Sequence, residues 1–348
     1  MESGKKSLME TSERDNYADF LKYVLISLVV LGHFINGYQY TTGFTGGMYT
    51  WIYTFHMPLF VFISGYFSKH INNLRKKNID TILFPFFVFQ ILNVVYTAII
   101  PIEPLSKNIF YPYHQNWYLI ALFWWRSFIP YRKFFKKWVV LTLCVFVSLF
   151  VGFFSGWDGF LGLYKTAYLL PFFVLGTYCE DLQRLLGKLL KNKAIWMGVF
   201  VLSLVIVFLL SYDKEILLKM NYAFKANDGY SGEWQNLFLR TIALLTSLLM
   251  IASVLLMTKL LYDSFKRIRL IGSGGTMLAF LGHEFIMIPL LPVYGKLGVF
   301  GFVLCVISSF VVTFILTRKQ IVDFFSPVMD MSVLCKKLKI NLYCDIEK

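Results

Sequence analysis

The sequence has few charged residues. Only 16% of its 348 residues are Asp, Glu, Lys or Arg, against about 25% in an ordinary soluble domain. Hydrophobic residues make up 57%, and the mean hydropathy is +0.61. Short segments of alternating polarity, which are typical of membrane β-barrels, are also lacking. The composition therefore excludes soluble domains and indicates one all-α polytopic membrane protein.

Cysteine is scarce as well, with five residues in the chain. Cys144 and Cys305 fall inside apolar segments, whereas Cys179, Cys335 and Cys344 fall at or beyond segment ends that we expect in the cytosol. No pair shares the oxidising side, and no C-x-x-C spacing occurs. We therefore expect neither a disulfide framework nor a bound metal.

Two further features are missing. No internal repeat suggests the paired halves of a transporter. The polar opening MESGKKSLMETSERDNYADF is too long and too acidic for the first region of a signal peptide. We therefore expect the first apolar segment to be retained.

Long apolar runs dominate what remains, and each is close to the roughly 20 residues that cross a bilayer. They predict ten transmembrane helices: Leu21–Tyr38, Met48–Phe67, Thr81–Ile100, Trp117–Tyr131, Trp138–Phe154, Phe160–Tyr178, Ala194–Tyr212, Leu237–Leu261, Thr276–Val293 and Leu297–Thr317. Residues 1–20 then form a cytosolic N-terminal segment, 21–317 the membrane domain, and 318–348 a cytosolic tail that lies along the inner leaflet.

The net charge of +14 orients the chain. With the N-terminus in the cytosol, 27 of the 34 basic residues lie on the inner side. The outer side keeps Lys107, Lys165, Lys214, Lys219, Lys225, Arg240 and Lys296. This asymmetry predicts that both termini are cytosolic. It also accounts for the charge by contact with membrane lipids, so no nucleic acid partner is expected.

The first predicted helix contains His33 at membrane depth, where an ionisable side chain is costly and usually functional. Lys22 lies eleven residues earlier on nearly the same face, about 16 Å away along the axis, and Asp19 lies one turn further down. This stripe leads from the cytosolic rim to the imidazole. The alternative interpretation is that His33 is a hydrogen-bonded packing residue.

The second and ninth predicted helices add further titratable groups. His56 lies near Pro58, which should perturb the second helix, and Ser64 with Gly65 offers a face for close helix packing. His56 is either catalytic or an interfacial residue bonded to the backbone. His283 and Glu284 are adjacent, so we expect only one of them to face inward.

Polar clusters at the two membrane surfaces could bind ligands. Arg75, Lys76 and Lys77 are either a topology signal or a cytosolic phosphate site. Arg126 interrupts the fourth helix and either reaches the cytosolic surface or lines a cavity. Asn116 and Trp117 suit a sugar, although an interfacial aromatic belt explains them equally well. The outward segment from about residue 213 to 236 is a candidate lid.

Several segments together resemble the membrane-bound acyltransferase-3 family, in its fucose 4-O-acetylase-like branch. YADFLKYVLISLVVLGH and FHMPLFVFISGYF carry the resemblance, and NWYLIALF, LLPFFVLGTY and LAFLGHEF follow in the expected order. The resemblance implies a ten-helix core that takes acetyl-CoA from the cytosol and acetylates a sugar hydroxyl. His33 would be the essential membrane histidine, and Lys22 would stand where many relatives have arginine.

The same resemblance makes Arg75, Lys76 and Lys77 the approximate coenzyme site. Here the chain departs from the family pattern, which has its basic pair nearer Pro85, where this chain has Asn78 and Thr81. A neutral His33 would remove the proton of the attacking hydroxyl. Glu284, Asn36 or His283 would fix its tautomer.

Alternatives remain at this stage. A proton-coupled transporter would use His33, His283 and Glu284 as a relay, whereas a purely structural subunit leaves those groups unexplained. We expect the acceptor to be a cell-surface polysaccharide such as capsule or its lipid-linked precursor; the sequence names neither the sugar nor the acyl group, which is acetyl or succinyl. We expect a multi-pass protein of the bacterial plasma membrane, with a homodimer as one option.

Overall fold

The computed structural model describes residues 16–69, 71, 74–100, 110–153, 160–225, 233–264 and 275–339. Every regular element in these ranges is helical. The helices are α1 (Asn16–Phe34), α2 (Phe44–Tyr53), α3 (His56–Ser68), α4 (Leu74–Ile99, with a π-helical turn at Ile79–Leu83), α5 (Trp117–Phe128), α6 (Lys137–Phe150), α7 (Leu163–Tyr178), α8 (Leu182–Lys191), α9 (Lys193–Leu210), α10 (Lys214–Lys225), α11 (Glu233–Ser264), α12 (Thr276–Gly295), α13 (Gly298–Leu316), α14 (Lys319–Met329) and α15 (Met331–Leu338).

The helices confirm an all-α polytopic membrane protein. Within the described residues, seven are long and apolar enough to cross a bilayer: α1, α4, α7 with its preceding turn, α9, α11, α12 and α13. The helix α6 with its following turn is apolar but shorter. The predicted fourth helix is also short, because α5 ends at Phe128, two residues after Arg126.

The second predicted helix is broken, which corrects the expectation of one continuous span. Pro58 has no N–H, so the Thr54 carbonyl four residues earlier loses its helical donor. Ser247 of α11 supplies a replacement, because its hydroxyl donates to the Thr54 carbonyl at 2.7 Å. His56 bonds to the Ile52 carbonyl through Nδ1 at 2.9 Å. The break between α2 and α3 is thus held by side chains.

The bundle has a central helix and a peripheral one. In α1, Leu21, Leu25 and Val29 are fully buried, and the helix packs against α3, α12 and α13. In α9, by contrast, only 6% of the 18-residue apolar segment is buried inside the protein. Since lipid chains are as apolar as leucine, the interior is held by close packing and hydrogen bonds rather than by exclusion of water.

The predicted small-residue face of α3 packs closely on α7. A Cβ atom added at Gly65 would lie 2.1 Å from the Phe173 carbonyl oxygen, and one added at Gly176 would lie 2.0 Å from the Phe62 carbonyl oxygen. The two backbones therefore touch at both glycines, as in other membrane helix pairs with small residues. This contact fixes α3 beside the helices that carry the site.

Amphipathic helices lie at the end of the bundle that is predicted to face the cytosol. In α8, Leu182, Leu186 and Leu189 are buried and the basic residues are exposed, as in helices that lie along a membrane surface. The helix α14 packs against α12 and α4, and α15 packs against α14 and the π-helical turn of α4.

Some predictions fall outside the described residues. They concern the basic residues Lys5, Lys6, Arg14, Lys107, Lys266, Arg267, Arg269 and Lys348, the cysteine Cys344, and residues 226–232 of the candidate lid. The described part of that lid is helical and comprises α10 and the start of α11. The other four cysteines are unpaired thiols.

Candidate active site

His33 lies in the last turn of α1, and its side chain is 23% exposed. The preceding Gly32 leaves room for Tyr53 of α2, since a Cβ at Gly32 would approach the Tyr53 ring to 3.2 Å. A larger residue there would push the ring away. The small residue before the histidine therefore lets α2 close one side of the site.

Both titratable residues of α12 contact His33, so the expectation that only one faces inward is wrong. His33 Nδ1 lies 3.2 Å from Glu284 Oε1 and 3.2 Å from His283 Nε2. Both α12 side chains are almost completely buried. Adjacent helical residues point about 100° apart, and the α1 imidazole lies between the two directions.

The hydrogen bonds define the tautomers of both rings. His283 Nδ1 lies 2.8 Å from the Ala279 carbonyl. A carbonyl only accepts, so this nitrogen carries the proton and His283 Nε2 is an acceptor. His33 Nδ1–H then donates to His283 Nε2 and Glu284 Oε1 together. The basic lone pair of neutral His33 is consequently on Nε2.

The same three residues bring their potential ligand atoms within 4.8 Å of one another. The hydrogen bonds from His33 Nδ1 already account for this spacing. The sequence predicts no metal here, and that expectation stays a prediction.

His114 approaches the other carboxylate oxygen. Its Nδ1 lies 3.5 Å from Glu284 Oε2, and its side chain is 21% exposed. The backbone has a positive φ of 44°, which is uncommon for a residue with a side chain. Such conformations concentrate at functional sites, where the surrounding structure enforces them.

A cavity of about 330 Å³ adjoins these groups. Of the residues predicted for the site, His33, Glu284, His56, Asn36 and Trp117 line it. Further lining residues that were not among the predicted site residues are Tyr53, His114, Gln115, Lys165, Phe224 and Phe280.

Several lining residues are held in place by other side chains. Asn36 Oδ1 accepts from the Tyr49 hydroxyl at 3.0 Å. The Lys165 ammonium lies 5.5 Å from the Trp117 ring centre. Gln115 Nε2 donates to the Leu281 carbonyl at 3.1 Å, which ties the segment before α5 to α12. The cavity thus combines aromatic walls with polar groups, as small-molecule sites do.

The predicted residues that do not line the cavity include Asn116, Lys22 and Asp19. Asn116 is buried, and its Nδ2 donates to Gln90 Oε1 at 3.0 Å. Lys22 and Asp19 pair with each other at 3.5 Å, and the Lys22 ammonium lies 3.9 Å from the Phe67 ring centre. The pair therefore lies at the opposite end of α1 from His33.

The basic residues at that end fall into two groups. The ammonium of Lys69 donates to the Cys179 and Glu180 carbonyls, and Arg132 donates to the Thr177 carbonyl. These cations satisfy the carbonyls at the end of α7, and burial lowers the pKa of Lys69. Lys69 and Arg132 therefore stabilise the fold by hydrogen bonds to the end of α7.

The second group comprises the predicted coenzyme residues. Arg75, Lys76 and Lys77 are exposed at the start of α4. Arg126 is half-buried, and its Nε donates to the Ser68 hydroxyl at 2.9 Å. None of the four lines the cavity at His33.

The missed residues left only weak sequence signals. His114 is one of five histidines and precedes the recognised Asn116 and Trp117. Its contact with Glu284 depends on a loop that no periodicity describes. Lys165 counted among the few outer cations, but its contact with Trp117 depends on how α7 packs beside α5.

The fold and the site together define a multi-pass helical membrane protein with a buried His–His–Glu cluster beside a cavity. A family model described as an acyltransferase domain matches residues 15–318. The chain therefore belongs to the acyltransferase-3 family and is a membrane acyltransferase.

A curated relative is similar over a short stretch. The nodulation protein NolL of Mesorhizobium japonicum is 48% identical over 62 residues, which cover 17% of this chain and 17% of that protein. No solved structure matches the chain significantly.

Proposed function

We propose that this acyltransferase moves an acetyl group from cytosolic acetyl-CoA to a hydroxyl of a cell-surface polysaccharide or its lipid-linked precursor. The observation that carries the proposal is the hydrogen bonding of His33. Its Nδ1 is held by His283 and Glu284, and the ring borders a cavity with polar groups. We place the protein in the bacterial cell membrane.

In the proposed reaction, His33 Nε2 removes the proton of the acceptor hydroxyl as the oxygen attacks the thioester carbonyl. The new C–O bond forms, the C–S bond breaks, and the coenzyme leaves as a thiolate that recovers the proton from the imidazolium. Glu284 stabilises that imidazolium through Nδ1–H, as the carboxylate of a catalytic triad does. His283 holds the ring without itself exchanging protons.

The donor would bind at the opposite membrane surface. Arg75, Lys76 and Lys77 are exposed cations that suit the coenzyme phosphates. Lys22 is separated from His33 by eleven residues, or about 16 Å of helix, so the pantetheine arm would have to bridge this distance.

A row of polar contacts between α3 and α5 suggests a path for that arm. Arg126 Nε donates to the Ser68 hydroxyl at 2.9 Å, and one turn further along α3 the Ser64 and Tyr118 hydroxyls lie 2.5 Å apart. The Tyr118 ring packs 5.1 Å from that of Phe280, which lines the cavity. The row thus leads from the inner side toward the site.

The acceptor would occupy the cavity itself. Asn36, Gln115 and Lys165 offer hydrogen-bonding groups, and Trp117 offers an aromatic face. This combination suits a sugar, whose hydroxyls and apolar faces need both kinds of contact. The proton-relay alternative would use His33, His283 and Glu284, but family membership favours acyl transfer.

Mass spectrometry of surface glycans from cells with and without the protein tests the proposal. We expect an O-acetyl ester that disappears when the protein is deleted and returns when it is restored. Identical O-acetylation in all three strains would contradict the proposed acceptor class. Loss of a non-acetyl ester would instead contradict the proposed donor.

A further inference from the structure

An apolar groove runs along the membrane face between α9 and α11. Its volume is about 360 Å³, and its surface is almost entirely hydrocarbon. The residues that define it include Leu202, Ile206, Leu239, Ile242, Thr246 and Leu249. We call it the α9–α11 groove.

This groove opens to the lipid. Ile206 and Ile242 are each 44% exposed and Leu249 is 50% exposed. One wall of the groove is formed by α9, the peripheral helix of the bundle, in which 6% of the 18-residue apolar segment is buried. On the predicted topology, the groove lies toward the outer leaflet, beside the ends of helices that also frame the cavity.

The α9–α11 groove and the active-site cavity have one lining residue in common. Phe224 of α10 lines both. At the break between α2 and α3, Thr54 lines the groove, whereas Tyr53 and His56 line the cavity. The two spaces are therefore neighbours along one wall of the bundle.

The helix that carries Phe224 is anchored at this junction. The Thr50 hydroxyl donates to Asn221 Oδ1 at 2.6 Å, and Asn221 Nδ2 donates to the Gln39 carbonyl at 2.7 Å. The Tyr168 hydroxyl donates to the Ala223 carbonyl at 3.3 Å. These bonds hold Asn221 and Ala223, which precede Phe224 in α10, to α2, to the segment before α2 and to α7.

We propose that the α9–α11 groove binds the hydrocarbon chain of a lipid-linked acceptor, whose sugar head enters the cavity past Phe224. This inference rests on the proposed function and commits the acceptor to the lipid-linked class. The hydrophobic lining matches an alkyl or isoprenoid chain. The polar lining of the cavity matches the head group, and a lipid anchor delivers the hydroxyl at the membrane depth of His33.

A second apolar groove provides the contrast. It lies between α5, α6 and α7, has a volume of about 410 Å³, and is lined by residues such as Val140 and Leu143. It shares no residue with the active-site cavity. A lipid in that groove has no contact with the site, so it serves as the matched control.

The test uses two acceptors that carry the sugar found acetylated in cells, one as its octadecyl glycoside and one as its methyl glycoside. Thr246→Trp fills the α9–α11 groove, and Val140→Trp fills the control groove. We expect Thr246→Trp to raise KM for the octadecyl glycoside about tenfold or more and to leave the methyl glycoside unaffected. Val140→Trp should change neither KM.

The outcomes separate the two proposals. If wild-type protein acetylates neither glycoside, the proposed function fails. If it acetylates the methyl glycoside and Thr246→Trp leaves the octadecyl KM unchanged, only the groove proposal is overturned. An equal rise for both acceptors in Thr246→Trp also overturns it, because the chain then makes no separate contact.

Crosslinking of the wild-type protein covers the case in which Thr246→Trp fails to fold. An octadecyl glycoside with a diazirine near the end of its chain should label peptides of α9 and α11. Labelling of α6 instead would contradict the proposal.

Discussion

His33 owes its proposed reactivity to two neighbours on α12. The Ala279 carbonyl sets the tautomer of His283, and His283 with Glu284 then sets that of His33. In its neutral form, the His33 imidazole therefore has its basic lone pair on Nε2. This is the arrangement that a general base in an apolar surrounding requires.

Replacement of Glu284 tests its action through His33. Glu284→Ala should lower kcat about 10²-fold or more, because the imidazolium loses its counter-charge. Glu284→Gln keeps an oxygen that accepts from Nδ1 and should retain more activity. Steady-state kinetics should show a fall in kcat with KM for acetyl-CoA and acceptor nearly constant. A loss confined to KM would show that Glu284 binds substrate instead.

Lys22 should tolerate replacement by arginine. It pairs with Asp19 at 3.5 Å and lies over the Phe67 ring, and a guanidinium can make both contacts. Transfer activity in membranes should stay within about twofold of wild type, whereas Lys22→Met should reduce protein yield or activity. A folded but inactive Lys22→Arg protein would show that the ammonium itself is needed.

At this scale, the sequence identified His33 and Glu284 because ionisable groups within apolar runs stand out. Asn116 shows the limit of that reasoning. Its amide bonds to Gln90 and faces away from the cavity, whereas its neighbour Trp117 lines it. Adjacent positions on one turn point in different directions, and only the packing of α5 decides which reaches the site.

Among the elements, the contact between α3 and α7 positions the break that carries His56. Gly65→Val should destabilise the protein by about 3 kcal/mol or more, because a Cβ there would collide with the Phe173 carbonyl. Thermal denaturation in detergent measures the loss. Gly198→Val is the matched control, since nothing lies within 4 Å of a Cβ at Gly198. Equal melting temperatures for the two variants would rule out the close contact.

The start of α4 should bind the coenzyme. Replacing Arg75, Lys76 and Lys77 together by alanine should raise KM for acetyl-CoA about tenfold, because three charges near the phosphates are lost. The acceptor KM should not change. Replacing Arg184, Lys188 and Lys191 of α8 removes the same charge from exposed positions. An equal effect of both triple variants would point to general electrostatics, and no effect of the first would refute the contact.

Helix positions were predictable because long apolar runs leave few alternatives. The break at Thr54 was only partly predictable. Pro58 predicted a perturbed helix. The Ser247 hydroxyl that donates to the Thr54 carbonyl could not be predicted, because Ser247 lies far from Thr54 in the sequence. The position of Phe224 between the cavity and the α9–α11 groove was equally unpredictable, because it depends on hydrogen bonds from α2 and α7.

For the whole molecule, the proposed chemistry joins two membrane surfaces. The exposed cations at the start of α4 and the cavity at His33 lie at opposite ends of the bundle on the predicted topology, in which both termini are cytosolic. An acyl donor on one side and a sugar on the other would meet at the last turn of α1. The sequence predicts this separation from the distribution of basic residues and from the spacing of Lys22 and His33 along the first helix.

The most direct measurement is transfer of labelled acetyl from acetyl-CoA to the glycan acceptor by membranes that contain wild-type protein or His33→Ala. Both proteins should reach the membrane in equal amounts, because His33 is partly exposed to the cavity. We predict that His33→Ala lowers the transfer rate about 10²- to 10⁴-fold. Transfer at the wild-type rate by His33→Ala would contradict the assignment of His33 as the general base.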